Sequence, residues 1–189
     1  MPAEAHVTSI WKTQRIFAAA FFIGFAAFFF WDGKVGYPRS NERWLAHEQF
    51  NNPDKSADWP AYAASRGWTD QVPEKFHTPE DIFMQYLCGS LSAAFGLIVL
   101  AYWAVQRGRI LKSDDEAVYA PSGLRIPFDS ITGLGKKNWD KKGIATVRYE
   151  MGGRKGEFKL DDYKFEQEPT HKIMAEIEAK LMSEGTERP

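Results

Sequence analysis

The sequence predicts a membrane protein: two transmembrane α-helices followed by a small α+β domain of antiparallel strands with a C-terminal helix. Three observations carry this. Residues 16–31 are sixteen uncharged residues, seven of them Phe. Residues 82–106 are twenty-five residues without a formal charge. From Arg109 onward, short segments of alternating apolar residues are separated by turn formers. A hydrocarbon core of ~30 Å needs ~20 helical residues at ~1.5 Å each. The second run meets this outright. The first meets it when residues 13–15 are counted, because Arg15 can snorkel its guanidinium to the headgroups.

The chain accordingly divides into an N-terminal segment (1–12), a first span (13–31), an intervening segment with short helices (32–81), a second span (82–106), the small domain (107–182) and a disordered tail (183–189). The first run is read as an uncleaved span. A cleavable signal would end in a small-x-small pattern, whereas "FFFWDGKVG" follows here, and Trp31 falls where an interfacial aromatic belongs. A soluble core helix would show a polar residue every third or fourth position, and residues 16–31 have none.

Charge sets the orientation. Lys12 and Arg15 precede the first span, and Arg107, Arg109 and Lys112 follow the second. Residues 32–81 hold six basic and nine acidic residues, with Lys34 and Arg39 as the competing near-span charges. The positive-inside rule then puts both termini in the cytoplasm and residues 32–81 outside. Small residues at spacing four, Ala20 with Gly24, Gly89 with Ala93, and Ser92 with Gly96, are expected to let helix backbones approach closely. Thr78-Pro79-Glu80-Asp81 reads as a helix start: a capping hydroxyl, Pro in the first turn and two carboxylates at the positive end.

The intervening segment opens with the turn formers "DGKVGYPRSNE". Ser40 or Asn41 is expected to cap a short helix through Phe50. "NNPDKSADWP" breaks that helix, and "WPAYAASRGW" forms another. Its many aromatics, Tyr37, Trp44, Trp59, Tyr62 and Trp68, suit a membrane interface, local packing or a partner. His47 and His77 stand about 30 residues apart and do not make a metal motif.

In the small domain, "ATVRYEM" alternates as a half-buried strand. In "GLRIPFDSI" the inner face is Leu124, Ile126, Phe128 and Ile131, with Pro127 confined to an edge or bulge. Thr170 is expected to cap a last helix whose stripe is Ile173, Met174, Ile177 and Leu181. Residues 109–182 carry their own apolar faces and are expected to fold without the spans. Strands followed by one amphipathic helix suggest a small barrel flanked by that helix. On "YAPSGLRIPFDSITGLGKK", the strand "EFKLDD" and the closing helix, residues 110–182 resemble the bacterial pleckstrin-homology-like domains, with fewer strands than that family's full set. The resemblance implies an antiparallel PH-like barrel, a binding or scaffolding role rather than an enzyme, and a place in the bacterial cytoplasmic (inner) membrane.

No nucleophile–base pair, metal cluster or cofactor loop is visible, so neither catalysis nor a cofactor is expected. Cys88 is the only cysteine. It excludes an internal disulfide and reads as a small apolar residue. Asp161 and Asp162 read as turn or cap residues. "GLGKK" lacks the spacing of a phosphate loop. A net charge of −1 points to no nucleic-acid partner. The suggestive polar stretch is "KKNWDKK": Lys136, Lys137, Lys141 and Lys142 around Trp139 in a hairpin turn. It is a candidate contact for anionic lipid headgroups, with Trp139 inserting at headgroup level, or for a protein partner; a solvated turn with Trp139 packed locally is the alternative. The expected partners are the bilayer and a protein of unknown identity. The leading expectation is a membrane-anchored binding module; the alternative is a structural accessory subunit of a larger membrane complex.

Overall fold

The computed structural model describes residues 2–51 and 56–187, apart from the side chains at 57 and 184–187. In chain order the elements are β1 (Ala3–His6), α1 (Ser9–Trp31), a π-helical turn (Asp32–Gly36), α2 (Tyr37–Glu48), a 3-10 turn (Ser56–Asp58), α3 (Trp59–Ser65) and α4 (Pro79–Gln106). Then come β2 (Ile110–Ser113), β3 (Ala117–Tyr119), β4 (Arg125–Pro127), a 3-10 turn (Phe128–Ser130), β5 (Ile131–Asn138), α5 (Trp139–Lys142), β6 (Ile144–Met151), β7 (Arg154–Asp161) and α6 (Gln167–Glu187). The chain forms two compact units, Ala18–Ile98 and Met1–Phe17 with Val99–Pro189.

The unit Ala18–Ile98 contains most of both helices long and apolar enough to cross a membrane. Where α1 meets α4, small residues fill the contact. Ala19 and Ala26 on α1, Gly33 in the π-helical turn that continues it, and Gly89 and Gly96 on α4 are buried, each seven residues from the next on its own helix. That spacing keeps one seam on the partner helix. A Cβ on Gly96 would stand 2.9 Å from Ile23 Cγ1 and 3.2 Å from the Ala19 carbonyl, and one on Gly89 3.2 Å from the Phe30 ring. Ser92 and Ala93 are half-buried, whereas Ala20 and Gly24 lie on the exposed side. A Cβ on Gly24 meets no atom within 4 Å. The small residues of α1 that approach α4 therefore follow a seven-residue phase, not the four-residue spacing of Ala20 and Gly24.

The turn expected at "DGKVGYPRSNE" does not interrupt the chain: the helix runs on from Ser9 to Glu48. Pro38 has no N–H to donate, and the wider π-helical turn just before it absorbs the misfit. Asn41 does not cap; its side chain clasps the backbone of His77, donating to its carbonyl and accepting from its amide, both at 2.7 Å. The Tyr37 and His77 rings stack at 3.7 Å, and Gln85 donates to the Tyr37 hydroxyl at 2.6 Å. The break expected at 51–60 falls partly on residues 52–55, outside the described residues. Beyond it α3 forms as expected, and its aromatics pack locally. Trp59 is buried, donates from Nε1 to the Asp70 carbonyl at 2.7 Å, and sits among His47, Phe50, Tyr62 and Trp68. The start of α4 is a reciprocal cap. Thr78 Oγ1 accepts the Asp81 amide at 3.2 Å, and Asp81 accepts the Thr78 amide at 3.1 Å.

The other unit holds two antiparallel sheets, ordered β1-β2-β3-β4 and β5-β6-β7, and α6. The closed barrel expected from the strand rhythm does not form. The two sheets remain separate, and Pro127 ends the edge strand β4 where it cannot donate onward before the 3-10 turn. The N-terminal residues, expected to be a separate segment, supply β1. Ala3 pairs with Ser113 and His6 with Ile110. Ala5, Val7 and Trp11 join Leu111, Val118, Ile126, Leu160, Phe165, Ile173 and Ile177 in one core. The β6–β7 hairpin closes on Gly152 and Gly153, both at positive φ, the conformation a two-residue hairpin turn needs. The last helix begins at Gln167, so Thr170 is not its cap. Buried in the helix, Thr170 donates its hydroxyl to the Glu166 carbonyl at 2.7 Å. The helix runs to Glu187, past the Met182 at which a disordered tail was expected; residues 188 and 189 lie outside the described residues.

Candidate functional site

The basic turn lies between β5 and β6. Its chain reverses at Gly143, which has φ 65° and donates to the Trp139 carbonyl at 2.7 Å. The Asp162 amide donates to the Gly143 carbonyl at 3.0 Å, and a Cβ on Gly143 would collide with the Asp162 carboxylate. Glycine is therefore required both by the backbone angle and by the space. Asp161 organises the next turn, accepting the amides of Tyr163 and Lys164 at 3.1 and 3.0 Å.

The five residues singled out in the sequence do not act together. Trp139 is half-buried against the core, its ring 5.0 Å from His171, so it packs inward. His171 Nε2 is held 2.9 Å from Asp162 Oδ2. Lys136 pairs with Glu178 at 2.6 Å, and that contact raises its pKa. Lys137, Lys141 and Lys142 are exposed. Lys141 and Lys142 line a cleft of about 470 Å³ with Thr8, Ile10, Asp162, Tyr163 and Gln167. Ile10 is 63 % exposed and Tyr163 49 %, and Tyr163 donates its hydroxyl to Gln14 Oε1. Ile10 and Tyr163 were missed in the sequence because their neighbours there are unrelated to the basic turn. The only hint was an isoleucine alone in the polar stretch before the apolar run.

A larger cleft of about 960 Å³ lies beside β1, β2 and the β3–β4 turn. Its charges are largely committed to the fold. Lys112 pairs with Glu4 at 3.2 Å. Asp114 accepts the amides of Glu116 and Ala117 and the Tyr119 hydroxyl, all at 2.8 Å, and the Glu116 amide leads in holding its pKa below the usual carboxylate range. Near the end of α4, Lys164 lies over the rings of Trp11 and Phe165 and donates to Gln106 Oε1 at 2.7 Å; burial lowers its pKa.

Among the described residues, no group of three or more His, Cys, Asp or Glu gathers to hold a metal ion. No family model, curated protein or solved structure matches the chain. The cleft at Lys141 and Lys142 combines two exposed ammonium groups, set against one carboxylate, with exposed apolar surface, an arrangement suited to binding an amphiphilic anion.

Proposed function

We propose that the chain is a two-span integral membrane protein of the bacterial cytoplasmic membrane, with both termini cytoplasmic, that presents a PH-like binding module to a protein partner or to the anionic membrane surface. The observation that carries this reading is the pairing of β1 with β2. One strand precedes the first apolar helix and the other follows the second. If both helices cross, the ends must meet on one side, as the pairing requires. The burial pattern of the helices supports a lipid surrounding: the residues buried in their contact are Ala and Gly, while Phe17, Phe28, Leu91 and Ile98 are exposed. A four-stranded sheet, a three-stranded sheet and a closing helix support the PH-like reading, with β1 adding a strand to those expected from residues 110–182.

The test uses two cysteines in a Cys88→Ser background, each probed with an impermeant maleimide. Ala64→Cys should react in intact cells, and Glu150→Cys only after lysis. The reverse pattern would invert the orientation, and reaction of both in intact cells would end the two-span reading.

A further inference from the structure

We infer that the cleft between the basic turn and the start of α1 binds the headgroup of one anionic phospholipid, through Lys141 and Lys142, with Ile10 and Tyr163 against its glycerol and upper acyl region. The inference rests on the two-span reading and adds a ligand, a site and a stoichiometry to it.

Position is the first support. Residues 13–31 supply about 28 Å of helix at ~1.5 Å per residue, close to the ~30 Å hydrocarbon core, so Ile10 lies ~4.5 Å beyond it. The headgroup layer is ~5–8 Å thick on each side. Ile10 lines the same cleft as Lys141 and Lys142, which places both ammonium groups within reach of the lipid phosphates. An isoleucine 63 % exposed on a helix of this kind is explained by a neighbour that is apolar on one side and anionic on the other.

Charge is the second support. Asp162 shares the cleft, its Oδ2 held by His171 and Gln167 at 2.9 and 3.5 Å, so the lining carries two ammonium groups against one carboxylate and keeps a net positive charge. Lys136 is bound to Glu178. The structure therefore separates the four lysines of the turn into Lys136, which holds α6, Lys141 and Lys142, which line the cleft, and Lys137, which is exposed outside it. A phosphodiester with a free negative charge matches that pair, and a zwitterionic headgroup brings a competing cation.

The experiment is native mass spectrometry of the full chain in a mild non-ionic detergent, titrated with phosphatidylglycerol or phosphatidylcholine. The wild type should retain one phosphatidylglycerol per chain in preference to phosphatidylcholine, less so as ammonium acetate is raised, because screening shortens the reach of the lysines. Each lysine near an anionic leaflet is worth about a fivefold factor in affinity. Lys141→Gln with Lys142→Gln should therefore weaken phosphatidylglycerol binding about 30-fold, and Lys136→Gln should leave it unchanged.

Equal retention of the two lipids by the wild type would overturn the site, whether or not the double variant folds. So would an equal loss from Lys136→Gln. Complete displacement of the lipid by inorganic phosphate would mean a free-anion site and end the lipid assignment. Failure of this site leaves the cysteine labelling pattern intact, whereas failure of the two-span reading makes both cysteines react in intact cells.

Discussion

The core of one unit and the helix contact of the other bury opposite kinds of residue. In Met1–Phe17 with Val99–Pro189 the large side chains are inside: Leu111, Ile126, Leu160, Phe165, Ile173 and Ile177 are almost fully buried. In Ala18–Ile98 the helix contact is filled by Ala19, Ala26, Gly33, Gly89 and Gly96, while Phe21, Phe28, Leu91 and Ile98 are exposed. Water drives the first arrangement, because burying large apolar surface is what stabilises it. The second arrangement makes sense where the solvent is itself apolar: large side chains lose nothing outside, and close backbone contact becomes the source of attraction. The comparison turns a composition argument into a packing argument, and it is open to direct attack.

The largest effect should come from removing β1. Residues 109–182 alone lack Ala5, Val7 and Trp11 of the core. Losing a buried Trp by itself costs about 3–5 kcal/mol, a large share of the ~5–15 kcal/mol available to a domain. The fragment should show no cooperative melt by circular dichroism, contrary to the expectation from sequence. The same fragment extended to 187 and given residues 2–12 through a flexible linker should recover it. Next, Ile126→Ala should cost about 2–5 kcal/mol in thermal unfolding of the full chain in detergent, as a large-to-small change in a water-driven core does.

Gly96→Leu should cost about 1–3 kcal/mol in the same assay, because a Cβ there would already press on Ile23 and the Ala19 carbonyl. Gly24→Leu sits in open space on the same helix pair and should change stability by less than ~0.5 kcal/mol. Equal effects at the two glycines would break the comparison. The smallest effect concerns pH. Hydrogen bonds, first that from the Glu116 amide, hold the folded Asp114 pKa below its unfolded value. Its contribution is therefore complete above the ordinary carboxylate pKa of about 4, and is lost as pH falls from there through the lowered folded value. The melting temperature of Asp114→Asn should fall less between pH 6 and pH 3 than that of the wild type.

Much of this was legible in the chain. The uncharged runs marked both long helices, and Thr78 to Asp81 marked the start of α4, because these signals are local. The strand β1 was not legible. Ala3, Ala5 and Val7 alternate, but two alanines are weak strand formers, and their partners lie about a hundred residues away. The contact phase of α1 was missed for a similar reason: Ala20 and Gly24 match a familiar spacing, yet only the partner helix decides which face is inside. In the basic turn, composition grouped five residues, and the fold divided them. Glu178 and His171, which claim Lys136 and Trp139, lie on α6, far along the sequence. Ile10 joined Lys141 and Lys142 only because the start of α1 and the end of α5 line one cleft.

The division of one sheet across the helical hairpin also sets a schedule for synthesis. β1 leaves the ribosome first, and β2 follows about a hundred residues later, a delay of ~5–20 s at ~5–20 residues per second. Throughout that interval β1 has no strand to pair with, and its short length and two alanines make it a poor seed for aggregation. In the two-span reading, the pair can form only after both apolar helices are inserted with their outer ends on the same face. A chain that stalls with one helix across would leave β1 and β2 in different compartments. Folding of the sheet would then report that insertion was completed correctly, making the sheet-bearing unit a checkpoint for the two apolar helices.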